Sequence, residues 1–197
     1  MENEKDIYQE RYLAHQERKK EILTNTYGVE DFRVYTQKEK DLFFEMLANR
    51  CSQRAFNKEK IDLDTIIWAI DRAPSSCNRQ GVRPVIVQER DAKDLLSGLL
   101  VGGVGWINRA HTVLLLQADM LAYKSPAERD NMPYLDAGVI VQTAYLTCEA
   151  LNHGCCFVNP NVREDHQDFF NEHFGFDEDH VFCGALAIGK FDKKHSV

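Results

Sequence analysis

Four short apolar runs constrain this chain more than any other feature: VRPVIVQ at 82–88, TVLLLQA at 112–118, CCFV at 155–158 and VFCGALAI at 181–188. Runs that apolar cannot show a side to water, so they specify strands of a sheet covered on both faces. The segments between them supply the covers. Thr36 followed by Glu39 forms a capping box for a helix ending near Asn49, with Leu42, Phe43, Met46 and Leu47 as its predicted buried stripe. Asp62 caps the next helix, in which Leu63, Ile66, Ile67 and Ile70 recur at helical spacing before Pro74. A short helix is expected around Lys93 to Leu100, and a polar, proline-containing loop at 123–133. Beyond it the pattern predicts a long helix from Leu135 to Asn152, with Asp136 in its first turn, and another from about Glu164 to Phe174, closed by Gly175. Periodicity favours a parallel, doubly wound sheet but does not fix strand direction.

At 197 residues the chain fits one ordinary domain with a sizeable core. Residues 4–23 are dense in charge of both signs and too thinly apolar to stand alone as a helix. The expected organisation is therefore a helical extension over 1–40, packing on the domain or on a partner, followed by a domain over 41–197. A formal net charge of -7 argues against a nucleic-acid surface. The first twenty residues lack the apolar core of a signal peptide and no eighteen apolar residues run together, so the expectation is a cytoplasmic protein with no membrane span. Cys51, Cys77, Cys148, Cys155, Cys156 and Cys183 show no C-x-x-C spacing and read as reduced thiols, mostly packing.

Three stretches carry candidate chemistry. In NRCSQRAF, Arg50, Ser52 and Arg54 alternate, so an extended backbone would aim two guanidiniums and a hydroxyl at one spot suited to a phosphate; the plain alternative is a solvated loop with scattered arginines. In APSSCNRQ, Ser75, Ser76, Asn78 and Gln80 crowd donors and acceptors at the edge of a strand, where a planar heterocycle could be read, or where a turn needs them. GGVG at 102–105 lacks the third glycine of a dinucleotide fingerprint, because Asn108 stands there; it permits close approach to something flat, or a tight turn. His166, His173 and His180 recur every seven residues among acidic neighbours, a spacing that suits a solvated face better than a metal, and none is assigned. His153 beside Cys155 and Cys156 would suggest a thiol nucleophile, but CCFV reads as buried, where a thiolate is disfavoured.

Taken in order, R-x-S-x-R after a helix, APSSCNRQ before the first long strand, GGVGW, the helix YLDAGVIVQTAYLTCEALNHG and a last strand ending in AIGK resemble the FMN-dependent nitroreductase family, over about Asn49 to Lys190. The resemblance implies an α+β fold: a three-layer α/β/α sandwich around a mixed, mostly antiparallel sheet, in a domain-swapped homodimer with FMN at the interface. It implies that Arg50 and Ser52 hold the FMN phosphate and that Arg54 approaches the pyrimidine side of the ring. Ser75, Ser76, Asn78 and Gln80 would lie against the flavin, commonly the one held mainly by the partner. Gly103 and Gly105 match the glycine segment near the ring, and Asn159 falls where a backbone N–H meets flavin N5. Two departures stand out. The usual Q-P-W is Gln80, Gly81, Val82, and the late basic residue of the phosphate site has only Lys193 or Lys194 as counterparts.

The function implied is hydride transfer from NAD(P)H to flavin N5 and on to a small organic acceptor, a nitroaromatic, quinone or enone, in ping-pong order. No side-chain acid or base need be named, since positioning and electrostatic tuning suffice. The alternatives are a flavin-binding dimeric protein without useful turnover and a family dehydrogenase that oxidises a specific substrate.

Overall fold

The computed structural model describes residues 2–27 and 34–193, in two compact units, Met1–Phe44 and Glu45–Val197. Helix α1 (Glu2–Tyr27) leaves Tyr12 and Leu13 exposed. Helix α2 (Gln37–Asn49) starts at the expected capping box: Thr36 N–H donates to Glu39 Oε2 at 2.9 Å and Glu39 N–H to Thr36 Oγ1 at 3.4 Å. Its apolar stripe is not buried as predicted, for Leu42, Phe43 and Leu47 are exposed and no residue of α2 is buried. Periodicity marks a face for burial without naming the surface that covers it.

In the second unit, strands β1 (Val82–Val87), β2 (Thr112–Asp119), β3 (Gly154–Val158) and β4 (His180–Gly189) form a sheet in the order β1-β2-β4-β3. Every pairing between these strands is antiparallel, which corrects the parallel reading of the periodicity. Helices on both faces make strands apolar throughout whatever their direction, so the pattern carried the covering and not the polarity.

Alternation along the strands divides the core in two. Leu114, Leu116, Leu186 and Ile188 face α3 (Leu63–Ile70) and α5 (Pro126–Ala150), packing with Ile66, Ile70, Ala137 and Ala144. Val113, Leu115, Ala185 and Ala187 face α4 (Arg90–Leu99) and α6 (Gln167–Phe174), packing with Leu96, Leu99, Phe170 and Phe174. The result is the three-layer α/β/α arrangement. Each fully buried Leu or Phe side chain contributes about 1.5–3 kcal/mol to it. The register of β2 against β4 slips between Leu115 and Gln117, giving β4 one extra residue at a bulge. There Gly184 takes φ +115°, and a Cβ would run into the Phe157 ring and stand 2.8 Å from Val158 O.

Helix α5 begins earlier than predicted. Ser125 caps it, accepting from Glu128 N–H at 3.3 Å, Pro126 opens it, and Glu128 Oε2 accepts from Lys124 N–H at 2.8 Å. The expected loop over 123–133 is thus mostly helix, with Pro133 inside it, and Asp136 lies in mid-helix, buried, rather than in the first turn.

Candidate functional site

Beyond α2 the chain runs extended beside β3. Ser52 and Cys155 form a parallel bridge, and Gln53 N–H donates to Cys155 O at 3.0 Å. Gln53 is buried, its Nε2 donating to Ala55 O at 3.0 Å and Lys193 O at 3.2 Å. Close approach of the segment depends on Gly154, where a Cβ would stand 2.6 Å from Gln53 Cγ. With Gln53 turned inward, extended alternation sends Arg50, Ser52 and Arg54 to the other side. The Arg50 guanidinium lies 4.9 Å from the centre of the Tyr145 ring, Ser52 Oγ is 3.1 Å from Tyr145 Oη, and the Arg54 guanidinium lies 5.8 Å from the Trp106 ring. Among the described residues no carboxylate forms an ion pair with Arg50 or Arg54. Two cations and a hydroxyl on one side of a strand, uncompensated by acids, make a place for an anion.

Trp106 links Arg54 to the glycine segment. Its indole N–H donates to Gly102 O at 2.9 Å, while Val101 N–H donates to Asn161 O at 3.0 Å and Gly105 N–H to Ser97 Oγ at 3.0 Å. Gly103 is buried, and Asn159 is exposed just past the end of β3. Arg50, Ser52, Arg54, Gly103, Gly105 and Asn159 therefore belong to one neighbourhood around β3. Lys193 reaches it through its backbone carbonyl; Lys194 lies outside the described residues.

The stretch from Ser75 to Gln80 is a contorted turn. Cys77, Asn78 and Gln80 take φ of 50°, 54° and 51°, left-handed values costing non-glycine residues about 1–3 kcal/mol each. Ser75 Oγ accepts from Gln80 N–H at 2.9 Å, and Gln80 Nε2 donates to Asp71 O at 3.3 Å. Arg79 pairs with Glu128 of α5 at 3.2 Å. Ser76 is held by Asp136: Oδ1 lies 2.9 Å from Ser76 N and 3.1 Å from Ser76 Oγ, and Oδ2 accepts from Tyr123 O–H at 3.0 Å. Burial first, then this bond, raises the Tyr123 pKa, so its hydroxyl stays a donor. Asn78 is exposed at the tip.

The turn leads into β1, at one edge of the sheet, whereas Ser52 bridges β3, at the other. At about 4.8 Å per strand, three strand intervals separate the two edges by about 14 Å. One chain brings the cationic segment to the glycines and Asn159, but does not bring Ser75, Ser76, Asn78 and Gln80 to them.

The thiol alternative loses its base and its nucleophiles. His153 Nε2 accepts from Asp62 N–H at 2.9 Å, and burial pushes the Cys155 and Cys156 thiols up. His173 stacks on Phe169 and His180 bonds Asp177, and among the described residues no cluster of His, Cys, Asp and Glu could hold a metal. No described helix is long and apolar enough to cross a membrane. Sequence reasoning missed Tyr145, whose role rests on contacts far along the chain. It also missed the reach of Asp136, although a carboxylate four residues before Ile140 and eight before Ala144, on a helix's buried stripe, is a readable signal.

The nitroreductase family model matches residues 47–104 and 98–190. A relative from Bacillus subtilis (strain 168), named FMN reductase [NAD(P)H], is 32% identical over 125 residues, 55% of this chain and 50% of the relative. The match thus spans half the length of that curated relative. The solved structure of NfrA2 from B. megaterium superposes with a TM-score of 0.69 at 23% identity, covering 79% of this chain and 68% of that one. An FMN-dependent nitroreductase from Clostridium difficile R20291 gives 0.66 at 20% identity, over 77% and 89%. The family match over most of the chain, with a fold shared with these solved structures, leads to one conclusion: this chain belongs to the nitroreductase family.

Proposed function

We propose that the protein is an FMN-dependent oxidoreductase that moves a hydride from NAD(P)H to a small organic acceptor, such as a nitroaromatic, quinone or enone, in ping-pong order. The observation that carries this reading is the outward set Arg50, Ser52 and Arg54, without acidic partners and beside Asn159 and the glycine segment. The set fits FMN: Arg50 and Ser52 suit its phosphate, and Arg54 suits the pyrimidine edge, where negative charge collects on reduction. When bound, FMN supplies two-electron exchange at N5, which no side chain offers. The protein's own part is to hold the ring, fix its charge environment and exclude water.

The reading includes a homodimer, in which the Ser75–Gln80 turn of one copy meets the cationic segment of another. The separation of the two halves at opposite sheet edges supports it, as does the apolar exposure of Tyr134, Leu135 and Val139 along α5. The visible spectrum of the purified protein, before and after anaerobic NADH or NADPH, is the test. Flavin bands that bleach are expected; a colourless protein that ignores added FMN would overturn the reading.

A further inference from the structure

Beyond the contacts that would touch a flavin lies the question of what holds the Ser75–Gln80 turn in shape. Three of its residues sit in left-handed backbone, a conformation that persists only where the surroundings over-determine it. Two of the restraints are local: Ser75 Oγ to Gln80 N–H, and Gln80 Nε2 to Asp71 O. Three come from α5. One is Glu128, which pairs with Arg79 and is one-third exposed. Another is Met132, whose Sδ lies 3.2 Å from Ser76 Oγ. The third is Asp136, only 5% exposed, whose Oδ1 accepts the backbone N–H of a residue sixty positions earlier and lies 3.1 Å from its hydroxyl.

A buried carboxylate is costly unless its oxygens are filled by donors, and here Ser76 fills one and Tyr123 the other. The arrangement is reciprocal. Asp136 needs those donors, and Ser76 N–H, at the start of the contorted segment, has this carboxylate as its acceptor. Charge-assisted bonds of this kind are roughly twice as strong as neutral ones.

We infer that Asp136 is a positioning residue of the cofactor site: buried, and acting through Ser76, it fixes the 75–80 turn in the shape that meets the flavin. The inference rests on the FMN reading above. Asp136→Asn keeps size and removes the charge, so one amide N–H must then face Tyr123 O–H or Ser76. Ile66→Val, a trimmed side chain in α3 under the same sheet face, serves as a stability control that takes part in none of the turn's side-chain hydrogen bonds.

Two readouts test it. In cofactor-free protein, hydrogen exchange at the Ser76 amide is measured; in titrations with FMN, quenching of flavin fluorescence gives Kd. Asp136→Asn is expected to speed exchange at Ser76 by about tenfold and to raise the FMN Kd by about tenfold. Ile66→Val is expected to lower the denaturation midpoint and leave both readouts unchanged. Unchanged exchange at Ser76 in Asp136→Asn overturns the inference, as does a Kd that rises equally in Ile66→Val. If the natural protein binds no FMN, the functional reading falls and takes the cofactor half of the inference with it, while exchange at Ser76 still decides what Asp136 holds.

Discussion

Tyr145 Oη stands 3.1 Å from Ser52 Oγ and accepts the Phe157 N–H at 2.8 Å. The phenol oxygen is therefore occupied on one side, and in its pair with Ser52 either hydroxyl can donate: with the phenol donating, the serine hydrogen is left to turn outward to an anion. Burial raises the Tyr145 pKa against the opposing pull of these two bonds, so the phenol keeps its proton at neutral pH. We predict that Tyr145→Phe leaves Phe157 N–H without its acceptor and costs about 1–3 kcal/mol of stability. Urea denaturation of the cofactor-free protein measures this. An unchanged midpoint would show that water replaces the phenol.

Arg50 and Arg54 contribute to no ion pair among the described residues, so removing either is expected to spare the fold. Arg50→Ala and Arg54→Ala should each weaken FMN binding by about tenfold or more, since each removes a charge-assisted contact worth about 1.5–3 kcal/mol. The natural protein's affinity should also fall as salt rises, and fall less steeply in either variant. Fluorescence titration at low and high salt checks both points; equal affinity across the three proteins would remove these arginines from the site.

His153 gives the fold a pH dependence with a definite sign. Its Nε2 accepts Asp62 N–H, so that nitrogen cannot carry a proton, and burial lowers the ring's pKa below the usual 6.5. The unfolded chain therefore binds the proton more readily. The stabilisation is complete above about pH 6.5 and is lost as pH falls through that value toward the depressed folded one. Denaturation midpoints between pH 8 and 5 should decline, and His153→Gln, whose amide oxygen can accept from Asp62, should flatten the decline. A variant with the same slope as the natural protein would assign the effect elsewhere.

Gly184→Ala should be among the most damaging single changes in the sheet. The residue sits at φ +115° in the β4 bulge, and an added methyl meets the Phe157 ring and the Val158 carbonyl. Backbone strain and overpacking together imply a loss of about 2–5 kcal/mol. Soluble yield and thermal midpoint provide the check, and a midpoint close to the natural one would mean that the β3–β4 pairing shifts at little cost.

Local chemistry was legible in the sequence and long-range partnership was not. Thr36 with Glu39 and Asp62 with Thr65 mark helix starts because both partners lie within one turn. Ser125 with Glu128 is the same kind of signal, masked by the prolines at 126 and 133, which read more readily as a loop. Strand positions followed from apolar runs, but their antiparallel order did not, because a sheet covered on both faces hides strand direction. At the site, the alternation of Arg50, Ser52 and Arg54 was readable; Tyr145, ninety-three residues away from Ser52, was not. The polar residues at 75–80 were noticed as a group, yet whether Ser76 faced a ligand or Asp136 depended on a residue sixty positions later.

The placement of the cationic segment and the contorted turn on opposite margins of one sheet has a genetic consequence. If two copies assemble as proposed, each binding site draws one half from each copy. A chain damaged at Arg54 and a chain damaged at Asp136 would each be defective alone. Mixed, they would form hybrids in which one site carries both lesions and the other carries neither, so two alleles that each weaken cofactor binding would together rebuild one intact site.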